Sequence, residues 1–333
     1  MELNKVYNED ALTGLSKLTD KSVNMCITSP PYWMQRDYKT DNQLGLEPTI
    51  DMYVSNLCDV FDEVKRVLRD DGTMWLNIGD KYQDKSLLML PQRVALEMCK
   101  RGWLLRNAIV WQKPNAMPTP AKDRFTIAYE MVYFFTKSKS YYFNQQFEPF
   151  TSNFDTWGWN RHEAADVDDG YAMRPKSGSF EGPNTKGRNM RDVWSISTGT
   201  FRGAHCAVFP EKLIQTPIDA GCPTRVCTKC GKPVTPLYER KSLERYELPK
   251  DDPRYRPARY SGKYDGGMRY ADVKLVGEQT CDCDAEFKKG LVLDPFMGAG
   301  TSALASKNMN RDYIGFEINP EYIKLGEQRL NEN

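Results

Sequence analysis

"LVLDPFMGAGTSALASK", residues 291–307, is the stretch that decides the fold. Its start, "LVLD", reads as a buried strand and "TSALASK" as a helix, with Gly298 and Gly300 in the turn between them. Glycine at such a turn lets the backbone bend tightly and lets a ligand come close to it. The helix start then offers backbone N–H groups that have no partner within the helix. "YIGFEI" follows as a second strand carrying Glu317 near its end, where a carboxylate can accept hydrogen bonds from two ribose hydroxyls. The third glycine of the dinucleotide fingerprint is missing, and Thr301 and Ala303 lie nearby instead. That disfavours a pyrophosphate ligand and leaves a cofactor of nucleoside type.

Working outward, strand-like stretches ("NKVYNED", "SVNMCITS", "TMWLNIGD", "WLLRNAIVWQK") alternate with helical ones up to about residue 144. "TIDMYVSNLCDVFDEVKRVLRDDG" has helical spacing and is expected to stop at Asp71-Gly72, and "AYEMVYFFTKSKSYYFN" is expected to form a hairpin. Alternation of this kind predicts an α/β fold with a largely parallel sheet. From about 145 to 204 periodicity fades and Gly, Asn, Arg and aromatic residues dominate. The 333 residues are 40% hydrophobic and 27% charged, which suits a soluble globular chain. With a net charge of +1, a nucleic acid would have to be held by a local basic patch, not by the global field. No apolar run reaches the length of a membrane span, and the N-terminus lacks the pattern of a secretory signal, so the expected location is intracellular.

A second stretch, "CITSPPYWMQRDY" (26–38), runs an apolar strand into Ser29, Pro30, Pro31 and Tyr32. Two prolines cannot donate to a sheet ladder, so the strand ends there on a stiff backbone with a small hydroxyl and an aromatic ring. Taken together, "TSPPYW" and "LDPFMGAGTS" resemble the β-class S-adenosylmethionine-dependent DNA amino-methyltransferases, in which the Pro-Pro motif precedes the cofactor motif. The resemblance implies a Rossmann-like methyltransferase fold with a mixed, mostly parallel seven-stranded sheet. It implies that residues 1–144 carry the catalytic part and 205–333 the cofactor-binding part, with a target-recognition region at 145–204. It further implies a cofactor site made by Asp10, Phe209, Asp294, Phe296, Gly298, Gly300, Thr301, Ser302 and Glu317. The implied partner is double-stranded DNA, with a cognate restriction nuclease as a possible companion. The implied setting is a bacterial cytoplasm, with the gene bacterial or phage-encoded and the chain a monomer or homodimer.

The chemistry explains the motif. An exocyclic amine is a poor nucleophile because its lone pair is delocalised into the ring. The Ser29 hydroxyl and the Pro30 carbonyl can accept from its N–H groups and hold the nitrogen toward sp³ geometry. The prolines stiffen that carbonyl, Tyr32 can stack on a base swung out of the duplex, and Trp33 either walls the pocket or simply packs. Carbon-5 methylation needs a covalent cysteine that follows a proline in that family, and no Pro-Cys pair occurs here. Within the resembling family, serine in the first position goes mostly with N4 of cytosine and aspartate with N6 of adenine. Ser29 therefore favours cytosine, with adenine N6 as the alternative. Methylation of RNA or of a protein amide, and a zinc-bearing DNA-binding protein without catalysis, are the readings of other kinds.

Nine cysteines need a separate account. Cys26, Cys58 and Cys99 stand singly in apolar surroundings and are expected to be buried. Cys227-x-x-Cys230 followed by Gly231 is a metal-knuckle pattern, and Cys281 and Cys283 supply a second pair. Four thiolates there would hold one structural zinc in an insertion spanning about 222–284, with Cys222, Cys206 and His205 as possible substitutes. The stretch between the pairs interleaves Arg, Lys and Tyr, a composition that can meet phosphates. Arg161, Arg174, Lys186 and Arg188 are candidate DNA contacts in the 145–204 region.

Overall fold

The computed structural model describes residues 1–37, 43–149, 188–199, 209–240, 245–247, 266–268 and 273–332. The chain divides into two compact units. The first comprises residues 1–145, 191–234 and 280–333, and the second comprises 146–190 and 235–279.

The first unit is built on one eight-stranded sheet. Its strands in chain order are β1 (Lys5–Tyr7), β2 (Val23–Thr28), β3 (Leu68–Ile78), β4 (Leu104–Gln112), β5 (Tyr129–Thr136), β6 (Val193–Ser195), β7 (Leu291–Asp294) and β8 (Asp312–Phe316). In space they run β1-β8-β7-β2-β3-β5-β4-β6. The pairs from β1 to β3 are parallel, β5 is antiparallel to both β3 and β4, and β6 is parallel to β4. This is the mixed, mostly parallel sheet expected, with one strand more. The extra strand is only three residues long, too short to show a period in sequence. It is fixed by the burial of Trp194 and by the Trp111 indole, which donates to the Ile196 carbonyl at 2.7 Å.

Helices α1 (Ala11–Ser16), α2 (Ile50–Val67) and α3 (Leu90–Lys100) pack with one another on one side of the sheet. There Leu57, Phe61 and Val64 of α2 meet Met74 and Leu76 of β3 in the main core. Helix α4 (Glu211–Gly221) packs against β2 and β3 and against α5 (Thr301–Asn308), which in turn meets α6 (Pro320–Glu332). Gly221 of α4 sits directly against Thr73 and Trp75. Because side chains alternate along a strand, Thr73 and Trp75 point away from the face that carries Met74 and Leu76.

Helix α2 begins where Thr49 accepts the Met52 N–H at 3.2 Å and ends at Val67, short of the expected Asp71-Gly72 stop. Leu68 is already extended because its strand pairs with Val23 of β2. The expected hairpin over 128–144 is likewise replaced. Tyr129–Thr136 pairs with β3 and β4, and Trp75 stacks on its cross-strand neighbour Phe134 with ring centroids 4.2 Å apart. Past Thr136 the chain leaves the sheet, held by the Tyr142 N–H to the Asp71 carbonyl and the Asn144 N–H to the Ala220 carbonyl.

In the second unit, Thr235–Arg240 pairs antiparallel with Val273–Gln279, and Arg245–Glu247 with Gly266–Met268. Phe147–Glu148 pairs with Arg188–Asn189, and the expected DNA-contacting Arg188 makes an ion pair with Glu148 at 2.7 Å. Arg161, Arg174, Lys186, His205 and Cys206 lie outside the described residues. Among the described residues, no helix is long and apolar enough to cross a membrane.

One small residue controls how α1 seats on the sheet. A Cβ at Gly14 would run into the ring of Phe316 on β8. Gly14→Ala is expected to cost about 1–3 kcal/mol through overpacking, read as a lower midpoint in urea unfolding.

Candidate active site

The glycine turn and the Pro-Pro motif lie far apart in sequence but leave the sheet side by side. Strands β7 and β2 are parallel neighbours, with Val292 opposite Met25 and Leu293 opposite Cys26. Ligands in open α/β sheets bind outside the carboxyl ends of the strands, and both motifs emerge at that end.

Asp294 closes β7 with a buried carboxylate. It accepts from the Thr28 hydroxyl at 2.6 Å, from the Phe296 N–H at 3.0 Å and from the Ser302 hydroxyl. Burial pushes its pKa up to about 6, against the opposing pull of those donors. The turn then passes through Gly298 (φ 53°) and Gly300 (φ 77°). Open space lies where a Cβ on Gly298 would point, while one on Gly300 would come within 3.2 Å of the Gly326 Cα. The first glycine thus leaves room at the surface of the turn, and the second permits close packing on α6. Glu317, just beyond β8, accepts the Gly298 N–H and the Asn319 N–H, each at 2.8 Å. Burial raises its pKa as well. A carboxylate has further lone pairs available beyond these two contacts. Asp10 caps α1 by accepting the Thr13 N–H at 3.0 Å.

On the β2 side, the Tyr53 hydroxyl of α2 donates to the Pro31 carbonyl at 2.9 Å and holds the Pro-Pro segment in place. Ser29 Oγ lies 3.3 Å from the Tyr32 hydroxyl. That hydroxyl donates to Glu130 Oε2 at 2.9 Å, which also receives the Asn77 amide at 3.1 Å. Lys113 forms an ion pair with the other carboxylate oxygen, Oε1. Burial, and next the charge of Glu130, push the Tyr32 pKa well above its ordinary value, so the phenol stays protonated. Gly79 makes room for this group, since a Cβ there would lie 2.8 Å from Tyr32 Cε2 and 3.2 Å from the Glu130 carboxylate. Trp33 is buried, donates to the Glu47 carbonyl at 2.9 Å and packs in the core without lining the cavity.

Both halves open on one cavity of about 730 Å³, within the range of small-molecule sites. Asp10, Ser29, Pro30, Pro31, Tyr32, Phe209, Phe296, Gly298 and Glu317 line it. Asp294, Gly300, Thr301 and Ser302 do not. Their side chains and backbone build the turn from behind: Thr301 accepts from Arg329 at 3.0 Å, and Ser302 bonds Asp294. Glu130, Lys113, Asn77 and Trp111 also line the cavity and belong to none of the sequence motifs. The one available signal was a lone acid, Glu130, at the start of the apolar run "MVYFF".

Away from this cavity, the Sγ atoms of Cys227, Cys230, Cys281 and Cys283 all lie within 4.8 Å of one another. Arg225–Cys227 pairs antiparallel with Phe287–Lys289, Gly231 (φ 69°) donates back to the Cys227 carbonyl at 2.9 Å, and the Lys232 N–H points at Cys230 Sγ at 3.5 Å. Backbone N–H groups, that of Cys230 foremost, pull the Cys227 thiol down to about 6. An all-sulfur set at this spacing suits a tetrahedral soft cation. Cys222 is buried elsewhere and takes no part. Cys26 and Cys58 are buried as expected, but Cys99 is exposed, because α3 turns that position outward.

A doubly flanked sheet, a glycine turn with a following acid, and a Ser-Pro-Pro-Tyr segment opening on the same cavity define an amino-group methyltransferase architecture. The sequence profile of the N6/N4 DNA methylase family matches residues 23–225 and 284–328. The chain is 32% identical over 98% of its length to the type II methyltransferase M.XycI of Xanthomonas campestris pv. cyanopsidis, covering 87% of that protein. It is 31% identical over 99% of its length to M.Cfr9I of Citrobacter freundii, covering 89%. In structure it is similar to the PvuII DNA methyltransferase (cytosine-N4-specific), with a TM-score of 0.57 at 18% identity over 98% of this chain and 85% of that one. A Thermus thermophilus protein complexed with S-adenosyl-L-methionine gives a TM-score of 0.52 at 18% identity, covering 98% and 93% of the two chains. The chain belongs to the β-class DNA amino-methyltransferases.

The buried Asp294 generates a pH prediction. Its folded pKa of about 6 stands above the ordinary value of 3.8, so between roughly pH 4 and 6 the folded state binds more protons than the unfolded state. This group's contribution is therefore most favourable below that window and is lost as pH rises through it. Asp294→Asn should remove the slope. Relative to wild type it should gain on the order of 2 kcal/mol between pH 4 and pH 7, measured by urea unfolding at both values.

Proposed function

We propose that this chain transfers a methyl group from S-adenosylmethionine to the N4 amine of cytosine in double-stranded DNA. The observation that carries the reading is the single cavity shared by Ser29, Pro30 and Tyr32 at one end and Gly298 and Glu317 at the other. The space beside Gly298 and the spare lone pairs of Glu317 fit a nucleoside with free ribose hydroxyls, and Asp10, Phe209 and Phe296 line the same end. When bound, S-adenosylmethionine supplies an activated methyl together with its own leaving group.

In this reading the remaining work falls to the chain. Ser29 Oγ and the Pro30 carbonyl accept from the amine and turn its lone pair toward the methyl. Pro31, tied down by Tyr53, fixes that carbonyl, and Tyr32 offers its ring to a base rotated out of the duplex. Asp294, Thr301, Ser302 and Gly300 act by shaping the turn. Serine at position 29 supports cytosine over adenine. Residues 145–204 are read as the target-recognition region between the catalytic part (1–144) and the cofactor-binding part (205–333). Kinship with type II methyltransferases supports a companion restriction nuclease.

Plasmid DNA treated with the protein and S-adenosylmethionine, then digested to nucleosides, should yield N4-methylcytosine by mass. N6-methyladenine as the sole product would move the assignment to adenine, and no modified nucleoside at all would remove the DNA-methylase reading. Ser29→Ala should lower kcat by about 10²-fold or more.

The four-cysteine cluster is proposed to hold one structural zinc within an insertion spanning about 222–284. Elemental analysis should find zinc in proportion to protein, and Cys281→Ser combined with Cys283→Ser should abolish it and lower the melting temperature. Protein purified without chelators that carries no metal would count against the site.

A further inference from the structure

We propose that Glu130 is a positioning residue: through Tyr32 it sets the direction of the hydrogen-bond chain that ends at Ser29, and so makes the Ser29 hydroxyl an acceptor toward the substrate amine. The inference rests on the amino-methyltransferase reading and adds to it a group that the Ser-Pro-Pro-Tyr motif does not contain.

The number of available protons fixes the direction. A carboxylate has none to give and can only accept. Three donors converge on Glu130: the Tyr32 hydroxyl at 2.9 Å and the Asn77 amide at 3.1 Å on Oε2, and the Lys113 ammonium on Oε1. The single phenol proton of Tyr32 is therefore committed to Glu130. The 3.3 Å contact between Ser29 Oγ and Tyr32 can then be bridged only by the serine's own proton. That leaves the lone pairs of Ser29 Oγ for the cavity.

The direction matters because of what the amine needs. Its N–H groups require acceptors, and its lone pair must stay available to the methyl carbon. A Ser29 hydroxyl turned into the cavity would instead donate to that lone pair and compete with the transfer. The surroundings hold the arrangement in place. Glu130 and Lys113 are both mostly buried, the Lys113 ammonium also lies 4.4 Å from the centroid of the Trp111 ring, and Gly79 leaves the space that Tyr32 and Glu130 share.

The test uses Glu130→Gln, Tyr32→Phe and the double variant in the full-length protein. In Glu130→Gln, Lys113 keeps the amide oxygen and the amide N–H faces Tyr32, which reverses the chain. Cofactor affinity, measured by isothermal titration, should stay near wild type. The melting temperature should fall, because the mostly buried Lys113 loses its charge partner, and kcat should fall by roughly tenfold to a hundredfold. Tyr32→Phe should also lower kcat, and adding Glu130→Gln to it should cost little more, because the chain is already cut. Wild-type kcat in Tyr32→Phe overturns the inference, even if Glu130→Gln does not fold. So does full kcat in Glu130→Gln, or an equal loss from that change in both backgrounds. A wild-type protein that methylates no DNA overturns the functional reading beneath it, a result distinct from either.

Discussion

The pairing of β2 with β7 is the constraint on which the rest depends. These strands come from opposite ends of the sequence, yet they lie side by side and parallel in the sheet. Two side-chain contacts reinforce the register: Asn24 Oδ1 accepts the Leu291 N–H at 3.0 Å, and the Thr28 hydroxyl donates to the buried Asp294 carboxylate at 2.6 Å. The second contact joins the last residue of one strand to the last of the other, immediately before the Ser-Pro-Pro-Tyr segment and the glycine turn begin. A one-residue slip would turn the side chains of β2 to the opposite faces and carry Ser29 away from the glycine turn. Under the proposed function, the reactive amine and the methyl donor would meet because these two strand ends are level.

Around that seam the protein uses buried polar groups in two ways. Asp294 is a builder. Its burial is unfavourable for the charge, as its raised pKa records, and three donors offset part of that cost while fixing the turn through Ser302 and Phe296. Glu317 and Glu130 instead keep their carboxylates at the cavity wall. Each is held by donors of the protein and still faces the space where ligands would lie. Similar chemistry thus serves as framework behind the cavity in one place and as part of the cavity wall in another.

Much of the fold was legible because its signals are local. Strand and helix alternation, the proline stop after Thr28 and the glycine turn after Asp294 each depend on a few neighbouring residues. The structure departs from the expectation where a distant partner overrides the local pattern. Leu68 leaves α2 early because Val23 pairs with it. Tyr141 to Phe143 stay out of a hairpin because Asp71 and Ala220 bond that segment elsewhere. Val193–Ser195 becomes a strand because the free edge of β4 is beside it. Within the site, the motif residues were visible as motifs, but Asn77, Lys113 and Glu130 come from three different strand ends or the residues beside them and carry no shared spacing.

The sequence by itself determined most of the order of elements, the two turns and the residue types they present, because prolines, glycines and alternating apolar residues act over one or two turns of chain. Only the tertiary structure decided that those turns share one cavity, that Asp294 stands behind it while Glu130 stands within it, and that four cysteine sulfurs from two separate pairs meet within 4.8 Å. The physical reason is range. Backbone preferences are settled between neighbours, whereas strand adjacency and the convergence of side chains follow from sheet pairing and core packing between residues hundreds of positions apart.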